Sequence, residues 1–135
     1  MAKKEFSFRG KSTDELSKLS LQEFAKLCRS RQRRSLGRGF DKTVLKQLDG
    51  AIAKKNAGNE PKPVRTHRRN IVVIPKMIGL KFSIYKGNAF DTVDIKPEML
   101  GHFLGEFSLT RKRMQHGKAG IGATRSSSAV TQRKT

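Results

Sequence analysis

The sequence has little from which to build a large apolar core or a covalent framework. Tryptophan is absent, hydrophobic residues make up 35% of the 135 residues, and Cys28 is the single cysteine. That apolar fraction is below the average for globular domains, so we expect a small core. A single cysteine excludes an internal disulfide and is typical of a reducing compartment. No apolar run approaches the length of a membrane-spanning helix, and the basic start Met1–Lys4 lacks the apolar segment of a signal peptide, so we expect a cytosolic protein without a membrane partner.

Acidic residues are missing from three long stretches. No aspartate or glutamate lies between Glu23 and Asp41, between Glu60 and Asp91, or after Glu106. Thirty lysines and arginines against eleven acids give a net charge of +19. This charge works against a compact fold unless a polyanion such as nucleic acid neutralises it. A merely solvated surface mixes both signs, which these stretches do not.

The basic residues in and around these stretches are the candidate nucleic-acid ligands. Guanidinium groups fork onto phosphates or stack on splayed bases, so an arginine-rich set favours RNA. Few aromatic residues, Tyr85 and Phe90 among them, are candidates for exposure, which favours recognition of phosphates and shape over stacking on an aromatic platform. The predicted RNA ligands are Arg29, Arg31, Arg33, Arg34, Arg38, Arg65, His67, Arg68, Arg69, Lys76, Lys81, Arg111, Lys112, Arg113, His116 and Lys118.

The sequence offers little for catalysis or metal binding. His67, His102 and His116 are 35 and 14 residues apart with no cysteine pair beside them, which is not the spacing of metal ligands. His102 and Glu106 have the spacing of an acid–base pair on one helix face, but we expect Gly105 to end the helix between them. We therefore predict no enzyme, no cofactor and no metal. An RNA-processing reaction at His102 and Glu106 remains an alternative.

Residues 1–63 are predicted to form a basic, helical N-terminal extension. Ser12 with Glu15 and Ser20 with Glu23 match the capping-box pattern, which predicts a short first helix and a second that runs to about Arg34. A third helix is predicted to follow Asp41. The apolar side chains of these helices should pack on one another or on the rest of the chain; they are Leu16, Leu19, Phe24, Leu27, Val44, Leu45, Leu48 and Ile52.

Residues 64–110 are predicted to be a small RNA-binding core. The segments 80–85 and 90–95 flank Gly87-Asn88, a two-residue hairpin signal. Pairing across that turn puts apolar residues opposite apolar ones and Lys81 opposite Asp94, as cross-strand packing favours. A β-branched run, Ile71–Ile74, lies before the hairpin. The predicted fold class is α+β, with a small antiparallel sheet made of the hairpin and a short third strand, and short helices around it.

Two further segments have recognisable patterns. Residues 75–79 and 97–101 share the order proline, charged residue, methionine, aliphatic residue, glycine, which predicts two similar one-turn helices. Residues 111–135 have neither an acid nor an apolar period, so we expect a disordered basic tail that becomes ordered on a partner.

Several strings within residues 66–107 resemble the universal small-subunit ribosomal protein family that is called S nineteen in bacteria. They are Thr66-His67, Ile74-Pro75, Met77-Ile78-Gly79, Tyr85-Lys86-Gly87-Asn88, Lys96-Pro97-Glu98-Met99-Leu100-Gly101-His102 and Leu104-Gly105-Glu106-Phe107. The extension, with Arg31-Gln32-Arg33-Arg34, and residues 116–124 resemble the archaeal and eukaryotic branch, whose eukaryotic member is called S fifteen.

This resemblance implies a structural constituent of the small ribosomal subunit, present as one copy. It implies binding to the three-prime major domain of the small-subunit RNA in the subunit head, beside the protein called S thirteen in bacteria. It also implies a C-terminal tail that reaches toward the decoding site and transfer RNA, with Arg125, Arg133 and Lys134 as candidate contacts. Charge alone would equally fit a basic DNA-compacting protein, and that alternative stays open.

Overall fold

The computed structural model describes residues 6–113. The described part begins with a two-stranded ribbon and four helices: β1 (Ser7–Phe8), β2 (Lys11–Ser12), α1 (Thr13–Lys18), α2 (Leu21–Leu27), α3 (Ser30–Gly37) and α4 (Lys42–Asn56). Three strands follow: β3 (Val64–Thr66), β4 (Lys81–Tyr85) and β5 (Phe90–Asp94). One-turn 3₁₀ helices lie between and after them: η1 (Pro75–Met77), η2 (Pro97–Met99) and η3 (Leu104–Phe107). Within residues 6–113, no helix combines the length and apolarity needed to span a membrane.

Both predicted capping boxes are present. The Glu15 amide donates to Ser12 Oγ at 3.4 Å while the Ser12 amide donates to Glu15 Oε2 at 3.2 Å, so α1 begins where expected. Ser20 and Glu23 make the same reciprocal pair at the start of α2. These local hydrogen bonds satisfy amides that the first helical turn leaves without partners.

The prediction of one continuous second helix to Arg34 is wrong. Cys28 and Arg29 are both extended, with ψ of 160° and 162°, and they separate α2 from α3. The break places the Cys28 side chain in the core, where it is 3% exposed. It also lets the guanidinium of Arg33 donate to the carbonyls of Lys26 and Cys28, at 3.1 Å each, so the end of α2 is capped by a side chain from α3.

The sheet confirms the α+β class and the hairpin. β4 and β5 are antiparallel in the predicted register, with Lys81 opposite Asp94 and Phe82 opposite Val93. The third strand is β3, which pairs in parallel with β4, so the sheet is mixed. The β-branched run Ile71–Ile74 does not join it; these residues are buried, and Val72 forms an isolated bridge with Phe103.

The two one-turn helices with the shared pattern form as predicted. In η1 the Ile78 amide donates to the Pro75 carbonyl at 3.2 Å, and in η2 the Leu100 amide donates to the Pro97 carbonyl at 3.1 Å. The glycine that follows each one has a left-handed φ, +73° at Gly79. Both turns therefore end in a backbone conformation that glycine adopts most easily.

The apolar residues of the N-terminal helices share a core with the sheet. Leu16, Phe24 and Leu48 are at most 1% exposed and belong to the same cluster as Phe82 and Ile84 on the inner face of the sheet. Val44 is also buried in this cluster, and the remaining predicted apolar residues are partly buried against it: Leu19, Leu27, Leu45 and Ile52. The predicted packing of the extension is confirmed. That residues 1–63 and residues 64–110 have separate roles stays a prediction.

Candidate nucleic-acid interface

Two arginines of α3 and the arginine that follows it line an open groove. Arg31, Arg34 and Arg38 are spaced by three and four residues, so they project from one helix face. They line a cavity of about 440 Å³, which we call the arginine groove; its full lining is Ser30, Arg31, Arg34, Ser35, Arg38, Asn70 and Phe103. Guanidinium, hydroxyl and amide groups on one concave surface are suited to bind phosphate oxygens.

The groove continues toward Arg68. A neighbouring cavity of about 280 Å³ shares Ser35, Arg38 and Asn70 with the arginine groove, and Arg68 and Asp41 lie on its wall. Arg68 Nε is 2.8 Å from Asp41 Oδ2, but the arginine side chain remains 65% exposed. Arg68 therefore keeps accessible donors at the far end of the same positively charged surface.

Phe103 forms the opposite wall of the arginine groove. The guanidinium carbon of Arg31 lies 5.1 Å from the centroid of its ring, within the range of a cation–π contact. Backbone hydrogen bonds hold this wall against the buried run: the Val73 amide donates to the His102 carbonyl at 2.8 Å, and the Leu104 amide donates to the Ile71 carbonyl at 2.9 Å. The groove is thus built between α3 and a segment some seventy residues later in the chain.

Two carboxylates border this surface, and each is already paired. Asp41 pairs with Arg68, and Glu106 Oε2 lies 2.7 Å from His102 Nδ1. Partial burial alone would raise the pKa of Glu106, but hydrogen bonds from the Phe103 amide and from His102, together with the charge of Arg31, hold that pKa below its usual value. Three arginines line the groove and no carboxylate does, so the groove itself remains positive beside the ionised Glu106.

The contact between His102 and Glu106 corrects the expectation that Gly105 ends the helix between them. Gly105 lies inside η3, and Glu106 Oε1 accepts the Phe103 amide at 3.1 Å while its other oxygen meets His102. The pair therefore fixes the start of η3 and the position of Phe103. Its contacts are those of a structural brace.

Three predicted RNA ligands make hydrogen bonds or ion pairs within the protein. Arg33 caps α2, as described above. Arg69 donates to the carbonyls of Tyr85 and Gly105, at 2.7 Å each, and to the carbonyl of Ser108. Lys81 Nζ lies 2.8 Å from Glu60 Oε1, and this contact lowers the pKa of Glu60 and raises that of Lys81. Arg33 and Arg69 thus carry contacts that hold the fold together.

The other predicted ligands are dispersed. Arg29 lines a separate cavity of about 340 Å³ beside Phe6 and Phe8, and Lys76 is exposed on η1. Arg65 and His67 are exposed at the sheet, and Arg111, Lys112 and Arg113 are exposed at the end of the described range. The predicted disordered tail lies outside the described residues from residue 114 onward, and so do the remaining predicted contacts: His116, Lys118, Arg125, Arg133 and Lys134.

Sequence reasoning missed the polar and aromatic partners of the arginines. Ser35 could have been found, because it lies four residues after Arg31 on the same helix face. Asn70 and Phe103 carry no local signal, because only tertiary hydrogen bonds bring their segments to α3.

The described residues form neither a metal site nor a reactive thiol. Within residues 6–113, no three histidine, cysteine or acidic side chains converge on a point where they could hold a metal ion. Burial raises the pKa of the Cys28 thiol, which keeps it protonated and a weak nucleophile.

Comparison with known proteins adds a consistent result. The family model described as ribosomal protein S19 matches residues 34–116. The small ribosomal subunit protein uS19 of Halorubrum lacusprofundi is 46% identical over 127 residues, which span 94% of this chain and 90% of the relative. The protein of the same name from Halobacterium salinarum is 46% identical over 126 residues, which span 93% of this chain and 90% of the relative.

Proposed function

This chain belongs to the ribosomal protein S19 family, in its archaeal form, and we propose that it binds the RNA of the small-subunit head through the arginine groove. It is a structural constituent of the small ribosomal subunit and not an enzyme. Its association with small-subunit RNA follows from that membership. Which residues make the contact is the subject of the proposal.

The arrangement of Arg31, Arg34 and Arg38 carries this proposal. The concave surface presents three guanidinium groups together with hydroxyl and amide donors, and the acids beside it are paired. Such a surface favours the binding of a run of phosphates. Contacts of this kind fix position and orientation without reading base sequence. Arg68 would extend the phosphate track beyond the groove, and the exposed Arg111, Lys112 and Arg113 would add phosphate contacts elsewhere on the surface.

Finer features of the proposal rest on the family resemblance. The protein would occupy one site per subunit, in the cytoplasm, beside the S thirteen neighbour. His116 and Lys118 would continue the contact with ribosomal RNA, and Arg125, Arg133 and Lys134 would reach toward the decoding site and transfer RNA. A segment without an acid or an apolar period has no means of folding alone, so these contacts would form on the partner.

Sedimentation tests the proposed location. A tagged copy of the full chain, expressed at its natural level, should co-migrate with small subunits and whole ribosomes on a sucrose gradient. Migration with free protein, or with chromosomal DNA, would contradict the proposal.

A competition experiment tests the proposed ligand. At equal salt, RNA of the three-prime major domain should displace a DNA duplex of the same length from the full chain. Displacement in the opposite direction would favour the DNA-compacting alternative.

A further inference from the structure

Three aromatic rings and an arginine meet at one end of the sheet, across its three strands. The ring of His67 lies 4.5 Å from that of Tyr85 and 5.0 Å from that of Phe90, and the Tyr85 and Phe90 rings are 5.2 Å apart. The guanidinium carbon of Arg65 lies 3.8 Å from the Phe90 centroid. We call His67, Tyr85 and Phe90, with Arg65, the aromatic cluster. It is separate from the arginine groove, with which it shares no residue.

The pleat of the sheet places this cluster on the outer face. Phe82 and Ile84 are fully buried on the inner face, so Tyr85, next along β4, points outward, and β5 pairs Phe90 with it. Arg65 is exposed between two buried residues of β3, and His67 is exposed just after the strand. Tyr85 and Phe90 are half-buried. The core therefore does not use these four side chains, although their mutual contacts do stabilise the hairpin.

The charge at this end of the sheet favours a polyanion. The guanidinium of Arg65 lies over the face of the Phe90 ring, a position from which its N–H groups can contact phosphates. The acids of the outer face lie at the far end of β4, where Glu60 pairs with Lys81 and Asp94 lies opposite that lysine. On the outer face, cationic and aromatic groups are thus together at one end and carboxylates are at the other, while Asp91, which follows Phe90, pairs with Ile84 on the inner face.

We propose that the aromatic cluster is a stacking site for unpaired RNA bases, distinct from the arginine groove. The proposal rests on RNA being the partner of this protein. Because the rings are tilted against one another by 45° to 84°, one base stacks on a single ring while the other rings contact its edge. Arg65 holds the phosphate of that nucleotide. Exposed aromatic side chains on a sheet are a common means of binding unpaired bases.

The sequence itself supplies a reporter for this site. Tyr85 is the single tyrosine and tryptophan is absent, so tyrosine emission from the full chain comes from the cluster alone. A base stacked on or beside that ring quenches its emission. A phosphate bound elsewhere on the protein does not.

The experiment compares two oligonucleotides of equal length and charge. One is a short single-stranded RNA of adenosines, and the other is an abasic sugar–phosphate chain. Each carries a terminal dye, so anisotropy reports total binding by the full chain while tyrosine emission reports the cluster. We expect both to bind, and we expect saturable quenching, corrected for absorption by the bases, with the adenosine oligonucleotide only.

Substitutions then locate the bases. Phe90→Leu and His67→Leu should each weaken binding of the adenosine oligonucleotide about fivefold or more, because stacking is worth about 1–3 kcal/mol per base. Neither should change the affinity for the abasic chain, which also shows that the variant is folded. Arg65→Lys keeps the charge and should weaken base-dependent binding through the loss of its planar contact. Phe107→Leu, at a half-buried phenylalanine beside His102, is the matched control and should leave both affinities unchanged.

The outcomes separate this site from the proposed function. Binding of both oligonucleotides without quenching, or equal quenching by both, would overturn the stacking site and leave RNA binding by the groove intact. If neither RNA bound, the proposed function would fail first. In small subunits irradiated at short wavelength, peptides that contain Tyr85 should carry a cross-linked nucleotide. A cross-link from those peptides to a neighbouring protein in its place would assign the cluster to a protein contact and overturn the proposal.

Discussion

Arg69 and Gly105 hold each other by two hydrogen bonds in opposite directions. The Gly105 amide donates to the Arg69 carbonyl at 2.9 Å, and the Arg69 guanidinium donates to the Gly105 carbonyl at 2.7 Å. The same guanidinium reaches the end of β4 at the Tyr85 carbonyl. Through this arginine, the sheet, the buried run and η3 are fixed relative to one another, and with them the Phe103 wall of the groove.

We expect Gly105→Ala to lower the free energy of unfolding by about 1–3 kcal/mol, as overpacking does. A Cβ at this position would lie 3.0 Å from the Arg69 carbonyl oxygen, which the paired hydrogen bonds hold in place. Urea denaturation with an unchanged m-value measures the effect.

Gly50→Ala is the control for the Gly105 variant. Gly50 lies within α4, and a Cβ there would meet nothing within 4 Å, so the change should stabilise the protein by roughly 0.5–1 kcal/mol. Changes of the same sign at both glycines would refute the close approach at Gly105.

Adjacent arginines should differ in what they do. Arg69→Lys should destabilise the fold by about 2–4 kcal/mol, because lysine cannot reach three carbonyls at once. Arg68→Lys should change stability by less than about 1 kcal/mol, since the ion pair with Asp41 is exposed on the arginine side. Thermal and urea unfolding of both variants checks this. A larger loss of stability at Arg68 than at Arg69 would show that the two roles are exchanged.

The brace at η3 should make stability depend on pH in the acid range. The pKa of Glu106 is lower in the folded protein than in the unfolded chain. The stability that ionised Glu106 contributes is therefore complete above its pKa in the unfolded chain, and is lost as the pH falls through its pKa in the folded protein. Glu106→Gln lacks this titration. The difference in unfolding free energy between the parent and Glu106→Gln should therefore shrink as the pH falls from about 6 to about 3. A constant difference over that range would mean that Glu106 is not held ionised by the fold.

The local features of this fold could be predicted from the sequence. The capping boxes at Ser12 and Ser20 are local hydrogen-bond patterns, and the hairpin register follows from the turn at Gly87-Asn88 and alternation along both strands. The break at Cys28 could not be predicted, because residues 28–34 contain neither proline nor glycine to mark it. What fixes the break is the tertiary cap that Arg33 provides.

The positive charge of the candidate site could be predicted from the sequence, but the positions of its residues could not. A guanidinium that caps carbonyls, as in Arg69, looks the same in sequence as one that lines an open groove, as in Arg34. The Tyr85–Phe90 pair followed from the hairpin register, but its neighbours did not. Arg65 and His67 reach it through the parallel strand β3, which no turn signal announces.

The salt dependence of RNA binding tests the role of the arginine groove most directly. The test compares two triple variants that each remove three charges: Arg31→Gln/Arg34→Gln/Arg38→Gln in the groove, and Lys42→Gln/Lys46→Gln/Lys54→Gln on exposed positions of α4. The slope of log K against log salt is measured with RNA of the three-prime major domain. Each lost phosphate contact lowers the magnitude of this negative slope by about 0.7–0.9, so we expect the magnitude to fall by roughly 2–3 for the groove variant and by much less for the α4 variant. Equal drops in both variants would show that the groove contributes only its share of net charge, and would contradict its role as the RNA-binding surface.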